Sequence, residues 1–168
     1  MEEIKVLTAA DRASIYCELL PQLKSLVGEE SDVIANLSNI AAALKQVLSY
    51  VSWVGFYLLK NGELVLGPFQ GKVACTRIKI GSGVCGAAAE ERKTVVVPNV
   101  HEFPGHIFCD AHSKSEIVVP LLKGDKLLGV LDLDSSDYSA FNKVDADNLL
   151  LVSEIVSGLF SIEGQNGS

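Results

Sequence analysis

The chain has 168 residues, 48% of them hydrophobic, and carries 21 Asp and Glu against 14 Lys and Arg, for a formal charge of -7. A chain of this length sustains one core without disulfide staples, so a single domain over 1–168 is expected. The acidic balance argues against nucleic acid or an anionic membrane surface as partner and favours a small, cationic ligand. The opening MEEIKVLTAADR lacks the apolar segment of an export signal, and every apolar run is shorter than a spanning helix requires. A cytoplasmic, reducing setting is therefore expected, in which Cys17, Cys75, Cys85 and Cys109 serve burial, redox chemistry or metal binding rather than structural disulfides.

Asp11 is placed to cap a helix from Arg12 to about Leu26, with Ile15, Leu19, Leu20 and Leu23 near a 3.6 period, Pro21 marking a break or kink and Gly28 closing it. Cys17, with no titratable neighbour in this helix, reads as a small packing residue. Ser31 or Asp32 caps a second helix to about Leu48, whose stripe is Ile34, Leu37, Ile40, Ala41, Leu44 and Leu48. After Tyr50 the period becomes that of strands. SWVGFYLLK pairs through the turn Asn61-Gly62 with ELVLG, placing Trp53, Gly55 and Tyr57 on one side and Val54, Phe56 and Leu58 on the other. The aromatic side has a gap at Gly55, which suits either packing against a helix or the close approach of a ligand.

GPFQGK reads as a loop and VACTRIKI as a third strand carrying Cys75. In GSGVCGAAAEERK, glycines frame Cys85 at the start of a short helix to about Glu91, where unpaired amides offer a place for an anionic group such as a carboxylate. Those glycines match neither dinucleotide nor phosphate-loop spacing. TVVVP is a short strand, and the stretch from Asn99 to Lys114 is long enough to be functional. SEIVVPLL and KLLGVLDLD form a hairpin about Gly124-Asp125, followed by a helix from Val144 to about Phe160 and a loose tail over 161–168. Two helices, three strands, a helix, three strands and a helix make an α+β domain on a largely antiparallel sheet.

Chemistry concentrates in GHIFCDAHSKSEIVVP, where Cys109 lies among His101, His106 and His112 and the run leads into a strand. Asp132 and Asp134 alternate with leucines and so share one side, with Glu116 opening the neighbouring strand. These acids suit a solvated hairpin edge, or a pocket that takes an ammonium group and holds one proton for general acid work. Cys75, Cys85 and Cys109 stand 10 and 24 positions apart, which is not a structural zinc spacing. A redox pair is the more natural reading, in which one thiolate meets a soft electrophile and a second cysteine captures the sulfenate.

The motifs WVGFYLL, LVLGPFQGKVAC, GVCGAA, HIFCDAHSKSEIVVPL and GVLDLDS, in this order, resemble the free methionine-(R)-sulfoxide reductases, stand-alone GAF-domain enzymes. The likeness runs from about Leu48 to Phe160 and implies a GAF-like six-stranded antiparallel sheet with packed helices. It also implies that Cys109 attacks the sulfoxide sulfur, Cys75 resolves the sulfenic acid and Cys85 is auxiliary. Glu116, Asp132 and Asp134 would hold the substrate's amino group and assist protonation of its oxygen, with Trp53 and Tyr57 as the aromatic wall. Phe108 and Ala87 depart from the usual small residue and threonine of that family. No bound cofactor or metal is implied; a thioredoxin-like protein is the expected reductant, and a homodimer is admitted. A pocket that reads a free ammonium would exclude peptide-bound sulfoxide. The alternative is a regulatory GAF module that senses a small molecule without catalysis.

Overall fold

In the computed structural model, residues 3–5, 11–105 and 112–161 are described. The elements are α1 (Arg12–Val27), α2 (Val33–Val47), β1 (Trp53–Lys60), β2 (Glu63–Gln70), β3 (Arg77–Lys79), α3 (Gly83–Glu91), β4 (Val95–Val97), β5 (Ser115–Lys123), β6 (Lys126–Ser135) and α4 (Lys143–Gly158), with one 3-10 turn at Val100–Glu102. The six strands form an antiparallel sheet of order β3-β2-β1-β6-β5-β4. This is the α+β architecture and element order expected from the sequence. Among the described residues no helix is long and apolar enough to cross a membrane.

Period-two alternation divides the sheet into two chemically different faces. Val54, Phe56, Ile117, Val119, Leu131 and Leu133 point into the main core against Leu19, Leu37, Leu44 and Leu149 of α1, α2 and α4. Trp53, Tyr57, Val118 and Val130 point the other way, against Val84, Cys85, Ala88 and Ala89 of α3. The larger core is closed by Asp145, which is fully buried and receives hydrogen bonds from Arg12 at 2.5 Å, Tyr50 at 2.5 Å and Tyr16 at 2.9 Å. The same carboxylate caps α4 through the Asn142 amide, so one charged group ties α1, α4 and the approach to β1 together.

Asp11 and Asp32 cap α1 and α2 as expected, and Asn61 and Gly62 both take positive φ in the hairpin turn. Several local readings are corrected. Pro21 does not interrupt α1; the N–H it lacks would have bonded the carbonyl of Cys17, and both residues lie on the exposed side of the helix. Cys17 is accordingly exposed rather than packed, because the buried stripe is Tyr16, Leu19 and Leu23. Ile34 is 51% exposed and falls off the α2 stripe. GPFQ continues β2 instead of forming a loop: the register shifts between Gly55 and Tyr57 of β1, and Gly67 and Pro68 sit at that bulge, where proline removes no regular ladder bond. β3 is only three residues long, leaving Cys75 in the preceding loop.

Helix α3 docks closely on the end of β3 because Gly86 has no side chain. A Cβ there would lie 2.5 Å from the Lys79 carbonyl oxygen and 3.0 Å from the Gly81 nitrogen. Replacing a helical glycine by alanine ordinarily stabilises by up to about 1 kcal/mol. Here Gly86→Ala is expected to destabilise by about 1–3 kcal/mol, because the helix must back away from the sheet. Urea denaturation checks this, and a stabilised variant would show that α3 does not depend on that contact.

Candidate functional site

The site lies between α3 and the second face of the sheet. Register alone assembles its floor: Glu116 pairs with Asp134 across β5 and β6, and on the other side of β6 Trp53 pairs with Asp134 and Gly55 with Asp132. Glu116, Asp132, Asp134, Trp53 and Tyr57 all line one cavity, of about 50 Å³, together with Cys85 of α3. The structure thus gathers every described carboxylate and aromatic residue singled out from the sequence. Cys109 and His106 lie outside the described residues. Cys75, half-buried, sits in the loop beside Val73 and Ala74 of the cavity rim. It is disulfide-bonded, while Cys17 and Cys85 are free thiols.

The aromatic wall is built differently from the sequence reading. The space above Gly55 is not a gap for a ligand, since a Cβ there would meet both Trp53 and Phe69 at 2.5 Å. The missing side chain lets the Trp53 ring lie over the strand, stacked on Phe69 at 5.5 Å and facing Tyr57 at 6.2 Å. Polar ends of these rings fix the loop that follows β2. Trp53 Nε1 donates to the Lys72 carbonyl at 3.0 Å, and the Tyr57 hydroxyl donates to the Cys75 carbonyl at 2.9 Å. The rings therefore also position the Cys75 backbone.

Burial dominates the electrostatics. Glu116 and Asp132 are each 6% exposed, Asp134 is half-buried, and Asp132 Oδ1 finds no hydrogen-bond partner among the described residues. Desolvation, followed by the Asp134 charge, raises the proton affinity of Glu116 well above the ordinary carboxylate range. Desolvation and the charges of Glu116 and Asp134 do the same for Asp132. Cys85 Sγ lies 4.0 Å from Glu116 Oε1, and burial, then the neighbouring Asp132 and Glu116, raises its thiol as well. Burial and mutual negative charge suit this group to a positive ligand.

Sequence reasoning missed two contributors, Ser113 and Phe69. Ser113, 4% exposed, donates to Asp134 Oδ1 at 2.5 Å and so ties the end of the Asn99–Lys114 stretch to a site carboxylate. It stood within the motif carrying Cys109, but nothing in its spacing marked its target. Phe69 was hidden in the segment read as a loop. The rim also includes Ser82 and Gly83 at the start of α3; Ser82 is its N-cap but makes no side-chain cap bond, so the helix presents its amide end to the cavity. His101 and His112 do not join the potential metal-ligand set found among the described residues, which is Cys85, Glu116 and Asp132.

Comparison with known proteins agrees with this architecture. The GAF domain family matches residues 1–162. Free methionine-R-sulfoxide reductase of Escherichia coli is 43% identical over 139 residues, spanning 83% of this chain and 84% of that protein. The chain belongs to the free methionine-R-sulfoxide reductase family of GAF proteins. It is also 46% identical over 157 residues to GAF domain-containing protein A of Dictyostelium discoideum, covering 93% of this chain and 99% of that one. The crystal structure of free methionine-R-sulfoxide reductase from Neisseria meningitidis in complex with its substrate superposes with a TM-score of 0.90 at 46% identity, covering 94% of this chain and 96% of that one.

The raised carboxyls set a pH dependence of stability. Folded Glu116 and Asp132 retain protons at pH values where the unfolded chain has lost them, so the folded state binds more protons and stability falls as pH rises above the ordinary carboxylate range. Glu116→Gln keeps that position neutral throughout. Its melting temperature is expected to decline less between about pH 5 and about pH 8 than that of the unsubstituted protein. Scanning calorimetry across that range checks the slopes; an equal or steeper decline in the variant would remove Glu116 from this role.

Proposed function

We propose that this protein reduces free L-methionine-(R)-sulfoxide to methionine. The observation that carries the reading is the buried cavity in which three carboxylates face an aromatic wall, inside a family whose named relatives perform this reaction. The amino group of a free amino acid brings a positive charge to the face formed by Glu116, Asp132 and Asp134. Its carboxylate fits the amide end of α3 at Ser82 and Gly83, where backbone donors and the helix dipole favour an anion. The methylsulfinyl end then lies along Trp53 and Tyr57 toward the rim formed by the Cys75 loop.

In the proposed cycle the Cys109 thiolate attacks the sulfoxide sulfur while a protonated carboxyl gives its proton to the oxygen. Glu116 and Asp132 suit that task because burial, then the neighbouring carboxylate charge, raises their proton affinity well above the ordinary carboxylate range. Oxygen passes to the cysteine, methionine leaves and Cys109 is a sulfenic acid. The Cys75 thiol displaces that hydroxyl as water and forms a Cys75–Cys109 disulfide. A thioredoxin-like dithiol reduces it by two electrons and completes the cycle. Cys75 in a disulfide with Cys17 and Cys85 free is the thiol pattern expected of the resting oxidised enzyme. Cys85, buried and with its proton held tightly, is the slower auxiliary thiol.

NADPH oxidation coupled to thioredoxin and thioredoxin reductase tests this directly. Turnover is expected with the R form of free methionine sulfoxide and not with the S form, and Cys109→Ser is expected to lose it while keeping its far-ultraviolet circular dichroism. Turnover on both forms, or full turnover in Cys109→Ser, would refute the proposal.

A further inference from the structure

An auxiliary role in disulfide exchange does not account for the position of Cys85 against two buried carboxyls. An ammonium group engages carboxylates and has no use for a thiol buried between them. Yet Cys85, Glu116 and Asp132 are all buried, come from α3, β5 and β6, and offer one sulfur and two oxygens that lie within 4.8 Å of one another. Asp132 Oδ1 is buried on this cavity without a hydrogen-bond partner among the described residues. We propose that Cys85, Glu116 and Asp132 form a site for a thiophilic divalent cation, zinc being the type, open to the cavity on its fourth side.

Donor chemistry selects the class of ion. Magnesium and calcium require oxygen ligands and six or more of them, whereas one thiolate with two carboxylates suits zinc or cobalt in tetrahedral coordination. Ligand lengths of about 2.3 Å to sulfur and about 2.1 Å to oxygen place tetrahedral donors roughly 3.5 Å apart. The Cys85 Sγ to Glu116 Oε1 distance of 4.0 Å needs only a few tenths of an ångström of closure. Binding releases the thiol proton and any proton held by the two buried carboxyls to solvent, and the cation offsets the negative charge that this leaves on its ligands. Three protein ligands leave the remaining position for water or a ligand group, as in an open zinc site. Because the ion would occupy the place assigned above to the substrate's ammonium, zinc would act as an inhibitor competitive with substrate.

Binding can be measured without turnover, so failure of this inference and failure of the proposed reaction are separable. Cys17→Ser protein in the form whose Cys75 is disulfide-bonded, as here, leaves Cys85 as its free thiol. Titration with cobalt chloride is expected to give one ion per chain and a near-ultraviolet thiolate-to-cobalt charge-transfer band, both displaced by zinc. Adding Cys85→Ser is expected to abolish the band. Asp132→Asn is expected to weaken cobalt binding by at least about tenfold while its thermal unfolding stays cooperative. Zinc is also expected to protect Cys85 from iodoacetamide, read by mass spectrometry. Absence of the band, its persistence in the Cys85→Ser protein, or unprotected alkylation at saturating zinc would overturn the proposal.

Discussion

The site depends on one electrostatic constraint: two carboxylates and a thiol are held out of water beside a third carboxylate. Glu116 and Asp132 are as buried as much of the apolar core, and the charges around them are negative. An isolated ionised carboxylate in such surroundings costs several kcal/mol, so the unliganded protein meets the constraint by holding protons. A cationic ligand meets it by supplying charge. In the proposed function, recognition of a free amino group and storage of a catalytic proton are two responses of the same buried cluster.

The rest of the fold keeps that cluster in place. The sheet's other face is a continuous apolar core under three helices, and the Asp145 network locks α1 and α4 around the start of β1. With the strands fixed, register delivers Trp53, Glu116, Asp132 and Asp134 to the same side. Helix α3 then seals the cavity, and Gly86 sets how closely it approaches. The loop after β2 is tied to the aromatic wall through the Lys72 and Cys75 carbonyls, so the wall fixes where the Cys75 backbone runs.

Features carried by local periodicity were legible in the sequence. The two aspartates of β6 alternate with leucines, the caps of α1 and α2 are aspartates before apolar stripes, and Asn61-Gly62 marks its hairpin. Features set by tertiary contact were not. Pro68 looks like a loop residue until the β1 bulge opposite it is known, and Gly55 looks like an opening until the Trp53 ring covers it. Cys17 was read as packed because type, rather than position on the helix, guided that reading. Cys85 and Glu116 are 31 positions apart, and no local pattern could reveal that α3 lays the thiol beside the carboxyl. The same separation hides the cation-competent trio from any motif based on sequence spacing.

The central claim is that the buried carboxylates read the ligand's free amino group, and the most direct measurement couples that group to Asp132. Calorimetric binding of free methionine-(R)-sulfoxide and its N-acetyl derivative, to the disulfide form and to its Asp132→Asn variant, completes a double-mutant cycle. A preference of at least about 100-fold for the free amino acid, close to 2.8 kcal/mol, is expected in the parent protein and should shrink to less than about tenfold in the variant. Equal affinity for the two ligands in the parent, or an unchanged preference in Asp132→Asn, would contradict the account.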